Sequence, residues 1–181
     1  MKTGIKGVAL IKQWEGLRPK AYLDGGGVLT IGYGHTNSAG GLKVSHGLVI
    51  TEAQAEEVLK QDLTKFEARV NSLVKVPLSQ NQFDTLVSFD FNTGALHSST
   101  LLKKLNSGDY DSVPSELMRW VNDDGKKIQG LVNRRTAEVA LWKSEKTHTE
   151  PQKSAEPLSK PAGTSLLQTL WTLLLMLLRR S

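Results

Sequence analysis

Apolar residues near the start of the chain, Ile5, Val8, Ala9, Leu10, Ile11 and Trp14, recur at near-helical spacing and predict an amphipathic helix over about residues 3 to 14 that packs on a core. Between Lys20 and Thr36 the period changes. The β-formers Tyr22, Val28, Leu29, Thr30, Ile31 and Tyr33 surround Asp24 and three consecutive glycines, which predicts a hairpin with a tight, permissive turn. After a glycine-rich stretch, Thr51-Glu52-Ala53-Gln54 has the form of a capping box, and Ala55, Val58, Leu59, Leu63, Phe66, Val70 and Leu73 carry helical spacing to about Val74, where Pro77 follows. Shorter helices are expected over 80–91, 99–106, 113–122 and 132–142, separated by Gly94, Gly108, Gly125 and Gly130. The fold class is α+β: a small hairpin lobe, then a larger helical lobe, with a long helix between them leaving a cleft wide enough for a polymer.

Residues 144–164 lose this periodicity and contain Pro151, Pro157 and Pro161, so they read as a flexible linker after a body at 1–143. Beyond them, Leu166 to Leu178 holds ten large apolar residues in thirteen positions, followed by Arg179 and Arg180. A helix from Ser165 to Leu178 would be about 21 Å long, short of the roughly 30 Å hydrocarbon core of a bilayer. Residues 165–181, with Ser165, Gln168 and Thr172 on one stripe and Trp171 and two arginines beside the apolar face, suit a membrane interface better than a crossing. The alternative is a segment that docks on the body or drives oligomers.

Composition narrows the chemistry. With no cysteine there is no disulfide framework, thiolate nucleophile, iron–sulfur cluster or cysteine-ligated zinc. No phosphate-binding glycine motif or HExxH zinc motif is present, and His35, His46, His97 and His148 lack ligand spacing, so no metal or cofactor is expected. The net charge of +5 favours an anionic polymer, yet neither the body nor the tail is basic enough to indicate nucleic acid. The N-terminus has a short apolar group broken by Lys12 and Gln13 and does not read as a signal peptide.

Glu15 ends the first predicted helix and Asp24 lies nine positions later on the hairpin, so two carboxylates from different elements can face each other across a groove. Glycoside hydrolysis uses such a pair, one protonated by an apolar setting and one ionised in a polar setting. Spacing alone is weak support for this chemistry, since many acidic pairs in a chain lie nine apart.

The full string Trp14 to Thr36, WEGLRPKAYLDGGGVLTIGYGHT, resembles the phage-type lysozymes, the endolysins of glycoside hydrolase family 24. Their pattern of Glu-Gly, Tyr-x-Asp, a glycine turn and Thr-Ile-Gly-x-Gly-His is present as Glu15-Gly16, Tyr22-x-Asp24 and Thr30-Ile31-Gly32-Tyr33-Gly34-His35. Segments 82–94 and 130–138 agree with it, and the resemblance covers about residues 3 to 143. It implies a lysozyme-like fold and a triad of Glu15, Asp24 and Thr30 that cleaves the β-1,4 bond between N-acetylmuramic acid and N-acetylglucosamine in peptidoglycan. Glu15 is then the general acid, while Asp24 and Thr30 hold the attacking water. The reaction is then inverting, with carboxyls about 6.5 to 9.5 Å apart.

The same resemblance puts Gly32, Phe91 and Asn92 at the substrate, and His35 either there or, as its pattern favours, shaping the hairpin and its link to the long helix. One of Arg134 and Arg135 is expected to reach Glu15, where a cation works against the acid role until substrate weakens the pair. Gly25, Gly26 and Gly27 predict a mobile loop around Asp24. A monomeric enzyme is expected to collect in the host cytoplasm and reach the wall after a holin opens the inner membrane. Rival readings are a membrane-active tail with the body as cargo, a non-catalytic wall-binding module, and a lytic transglycosylase, which needs the acid but no water-holding pair.

Overall fold

The structure is a computed structural model that describes residues 1–144, so the expected linker beyond Ser144 and the apolar run at 165–181 lie outside the described residues. In chain order the elements are α1 (Ile5–Glu15), β1 (Arg18–Leu23), β2 (Leu29–Gly32), β3 (His35–Thr36), α2 (Glu52–Leu73), α3 (Gln80–Thr93), α4 (Thr100–Asn106), α5 (Val113–Leu117), β4 (Asn122–Asp123), β5 (Lys126–Lys127) and α6 (Gln129–Lys143). Single 3-10 turns lie at Asn37–Ala39 and Leu96–Ser98.

The predicted hairpin is a three-stranded antiparallel sheet in the order β1-β2-β3. Tyr22 pairs with Thr30 and Ile31 with His35, and a register irregularity lies between Arg18 and Tyr22. Asp24 organises the glycine turn: its Oδ1 accepts from the amides of Gly26 (2.9 Å) and Val28 (2.8 Å), while its own amide donates to the Val28 carbonyl (3.0 Å). Inward residues Ile31 and Tyr33 join Val44, Ile50, Ala55 and Leu59, so the sheet shares one continuous apolar core with the helices.

Helix α2 begins at the predicted capping box, with Thr51 and Gln54 satisfying each other's backbone amides at 3.2 and 2.8 Å. It packs on β2, β3 and α3. A second capping box, Ser79 with Gln82, opens α3. Every residue of α3 from Asn81 to Asp90 is buried, including Asp84, Thr85, Ser88 and Asp90. Asp84 caps α1 in place of a local side chain, accepting from the amides of Gly4 (2.8 Å) and Gly7 (3.1 Å) and from Gln80 (2.7 Å). A Cβ on Gly7 would lie 2.7 Å from Asp84 Cβ, so only glycine lets α1 approach this closely. Asp90 pairs with Arg69 of α2 at 3.2 Å and accepts from the Leu96 amide; burial pushes its carboxyl upward against that cation.

Two helical expectations differ from the structure. The predicted helix over 113–122 stops at Leu117, and residues 122–127 form a small hairpin whose turn residues Asp124 and Gly125 have φ of 46° and 74°. An Asp-Gly pair at positive φ marks a tight hairpin turn, but the all-exposed polar strands carry no apolar alternation. Helix α6 starts at Gln129 rather than Val132 and runs through Gly130, because its buried face consists of Arg134, Arg135, Glu138 and Trp142 rather than aliphatic side chains.

The N-terminal segment is tied to α2 through Glu67, which accepts from the amide and hydroxyl of Thr3 (both 2.8 Å) and pairs with Lys2 (2.8 Å). Burial pulls this carboxyl upward, but Lys2 and Thr3 outweigh it and hold it below the ordinary 4.5. A carboxyl depressed in the folded state adds stability above its unfolded value and loses it as pH falls through its folded value. Glu67→Gln is therefore expected to lower unfolding stability by about 1 kcal/mol at pH 7 and by less at pH 3, measured by urea denaturation at both; an equal loss at both would contradict the assignment.

Candidate active site

Gly16 takes φ of 68°, which ends α1 one residue after Glu15 and leaves the Glu15 carboxylate at the helix terminus, with its side chain 23% exposed. Glu15 lines a cavity of about 240 Å³ with Gly34, Thr36, Ala39, Asp62, Lys65, Phe66, Phe91 and Asn92. These residues come from the end of α1, the β2–β3 turn and the stretch after it, α2, and the C-terminal end of α3. Phe91 stands against Phe66, ring centroids 5.0 Å apart, so one aromatic pair joins α3 to α2 at the cavity.

Arg134, and not Arg135, reaches the acid. Its Nη1 donates to Glu15 Oε1 at 2.7 Å, while its Nε lies 3.4 Å from Glu138 Oε1. Arg135 is fully buried; its Nη2 donates to Asn92 Oδ1 (2.8 Å) and to Glu138 Oε1 (3.1 Å), and its guanidinium lies 5.1 Å from the Phe89 ring centre. Glu138 also accepts from the Ser88 hydroxyl at 2.8 Å. Two cations and two carboxylates, Glu15 and Glu138, therefore balance beneath the cavity. Burial pushes Glu138 upward against Arg135, Ser88 and Arg134, and it lowers Arg135 to about 10, which leaves that guanidinium charged at neutral pH.

His35 is buried and does not line the cavity. Its Nδ1 lies 2.8 Å from Asp62 Oδ2 and its Nε2 lies 2.8 Å from the Leu42 carbonyl, so both ring nitrogens are engaged within the protein and none is left for a substrate. These bonds fit the hairpin-shaping role better than substrate contact: they tie β3 to α2 and engage Asp62, which does line the cavity. Burial pushes the Asp62 carboxyl upward, opposed by His35 and by Lys65.

Of the other expected residues, Phe91 and Asn92 meet Glu15 in the cavity, whereas Asp24, Thr30 and Gly32 are not among the residues lining it. Gly32 is buried on β2 under Ala55 and Ile50, a structural position rather than an open one. Thr30 is buried, and its hydroxyl donates to the Val28 carbonyl at 3.0 Å. The Val28 peptide thus touches both members of the expected water-holding pair, its amide bonded to Asp24 and its carbonyl to Thr30. Asp24 Oδ1 is occupied by the turn amides, while Oδ2 accepts no hydrogen bond among the described residues.

Sequence reasoning missed Asp62, Lys65, Ser88 and Glu138. A signal existed for three of them: Asp62, Ser88 and Glu138 sit at core-facing positions among apolar residues, where an unpartnered polar side chain would be costly. Among the described residues no group of histidines and carboxylates is placed to hold a metal ion.

A family model described as phage lysozyme matches residues 12–138. An endolysin of Acyrthosiphon pisum secondary endosymbiont phage 1 is 47% identical over 150 residues, covering 80% of this chain and 99% of that one. The endolysin of Salmonella phage P22 is 41% identical over 146 residues, with the same coverage of 80% and 99%. The solved muramidase domain of SpmX from Asticaccaulis excentricus superimposes with a TM-score of 0.73 at 36% identity, over 80% of this chain and 99% of that one. The matched span contains Glu15, the cavity around it and the arginine pair beneath it, and the chain belongs to the phage lysozyme family, a lysozyme hydrolase of the endolysin kind.

Proposed function

We propose that the protein hydrolyses the β-1,4 bond between N-acetylmuramic acid and N-acetylglucosamine with inversion, with Glu15 as the general acid and Asp24 and Thr30 as the holders of the attacking water. The observation that carries this reading is the placement of Glu15 at a helix end, in a cavity with an aromatic face (Phe91) and a side-chain amide (Asn92), the surfaces an N-acetylhexosamine needs.

The chemistry follows from those groups. As the glycosidic bond breaks, negative charge grows on the departing oxygen, and Glu15 delivers a proton to it. Arg134, whose Nη1 lies 2.7 Å from Glu15 Oε1, is placed to pair with the carboxylate left behind. On the other face of the sugar, a water can donate to Asp24 Oδ2 and to the Thr30 oxygen, whose own proton is spent on Val28. Inversion requires that water between the two carboxyl groups, and the turn amides on Asp24 Oδ1 hold the side chain in place while Oδ2 has no protein donor among the described residues. No cofactor enters this scheme.

We also assign the body, residues 1–143, to catalysis as a monomer, residues 144–164 to a linker, and residues 165–181 to membrane contact, on the strength of ten large apolar residues beside two arginines. The enzyme then waits in the host cytoplasm for holin-mediated release to the wall.

Digestion of purified peptidoglycan tests the catalytic reading. Wild type is expected to release fragments with reducing muramic ends, α-anomer first by NMR, and Glu15→Gln to be slower by about 10³-fold. Anhydromuramic ends would mean a transglycosylase, and comparable rates for both proteins would remove Glu15 as the acid. For the tail, wild type is expected to co-sediment with anionic liposomes and a chain lacking residues 165–181 to stay in the supernatant; equal partitioning would refute membrane contact.

A further inference from the structure

The two oxygens of the Glu15 carboxylate have different surroundings. Oε1 accepts from Arg134 at 2.7 Å, whereas Oε2 accepts no hydrogen bond among the described residues. Oε2 faces Gly34 in the β2–β3 turn, where an added Cβ would lie 3.7 Å away and where φ of 88° favours glycine. Glu15 and Gly34 both line the cavity, so Oε2 is the oxygen left open to hold and deliver a proton.

A second cation stands one turn before it. Lys12 occupies the last turn of α1, and residues three apart on a helix are neighbours, so its ammonium can reach Glu15. It is drawn instead to α2. Its Nζ donates to Glu56 Oε1 and lies 3.4 Å from Glu52 Oε1, which also accepts from the Tyr33 hydroxyl at 3.4 Å. Glu52 and Glu56 are one turn apart and present both carboxylates on one side of α2. Tyr33, buried in the β2–β3 turn, places its ring centre 5.4 Å from the ammonium. The Glu56 bond outweighs burial and holds Lys12 above its ordinary value, and Lys12 in turn holds Glu56 below its own, so this pair stays ionised at neutral pH.

We propose that Glu52 and Glu56 are positioning residues that hold Lys12 away from Glu15, so that Oε2 stays unpaired and keeps its proton for the glycosidic oxygen. The inference rests on Glu15 as the general acid and adds residues outside the cavity that govern its protonation. A cation beside a carboxyl favours the ionised form, and an ionised Glu15 has nothing to deliver. Arg134 already acts in that direction at Oε1; a lysine released onto Oε2 would act at the oxygen that transfers the proton. The other charged groups around the acid are Asp62 and Lys65 of α2 on the cavity lining and Glu138 of α6 behind Arg134, while Lys60 faces Glu56 from α2 itself. All four are retained when Glu52 and Glu56 are replaced.

The test is the pH dependence of kcat/KM on purified peptidoglycan with the full chain. Glu52→Gln/Glu56→Gln releases Lys12, and its alkaline limb is expected to move down by roughly half to one pH unit, about a 3- to 10-fold loss of rate above the limb. Adding Lys12→Met to that variant is expected to return the limb to its wild-type position, while Lys12→Met alone leaves the limb in place. Glu56→Gln alone, at a side chain 39% exposed and apart from the Thr51 cap, is expected to give the same pattern at smaller amplitude and decides the question if the double variant does not fold.

A limb that stays in place in both glutamine variants, with only the melting temperature and the rate at every pH reduced, would make the two carboxylates purely structural and overturn the proposal. A limb that Lys12→Met fails to restore would overturn it as well. So would a shift from Lys12→Met that is equal with and without the carboxylates, which would mean a diffuse field rather than a captured side chain. Wild-type activity in Glu15→Gln would instead remove Glu15 as the acid and defeat the reading on which the inference rests.

Discussion

Burial of α3 on every side is the constraint from which the rest of the body follows. A helix buried all round normally carries only apolar side chains, since an unpaired polar group away from water costs about 1 to 3 kcal/mol. This helix carries Asp84, Thr85, Ser88 and Asp90 at buried positions, and each one therefore dictates what must stand opposite it. Asp84 requires the free amides at the start of α1, Ser88 requires Glu138 of α6, and Asp90 requires Arg69 of α2. Those three contacts set α1, α6 and α2 around a common axis with little freedom to slide. Apolar packing supplies most of the driving force, through Phe83, Leu86, Val87 and Phe89 on the same helix, but it is non-directional. The polar contacts supply the register.

That register is what assembles the site. Helix α1 is fixed at its start by Asp84 and ends at Glu15, three turns away; α6 is fixed by Ser88 through Glu138, and one turn before Glu138 it places Arg134 against Glu15. The Arg134–Glu138–Arg135 cluster would be a poor choice for stability alone, because removing three charges from water costs more than most buried pairs recover. Its geometry is better explained by position: one carboxylate holds two guanidiniums, of which one meets the acid and the other meets the cavity amide. The sheet contributes its edge of the site by a separate route, the bond between His35 and Asp62 that anchors β3 to α2.

Where apolar spacing and backbone chemistry agreed, elements were legible in advance. The capping box at Thr51, the aliphatic stripe of α2 and the turn around Asp24 are local signals, and all three appear where expected. The β4–β5 hairpin was not legible because its strands bury nothing, and the start of α6 was not legible because its inward face is charged. The triad positions rested on motif resemblance, which carries identity but not environment. It could not tell that both nitrogens of His35 are committed within the protein, or that Arg134 rather than its neighbour turns toward Glu15. Adjacent residues on a helix point about 100° apart, so that choice depends on the rotation of α6, which the Ser88–Glu138 contact sets from a distance of 50 residues in sequence.

Native-state hydrogen exchange tests the primacy of α3 most directly. If its polar contacts organise the body, the amides of residues 81–90 exchange only by global unfolding, with an opening free energy equal to that from urea denaturation. Exchange of these amides through a smaller opening, while α2 or α4 stays protected, would contradict the central place given to this helix.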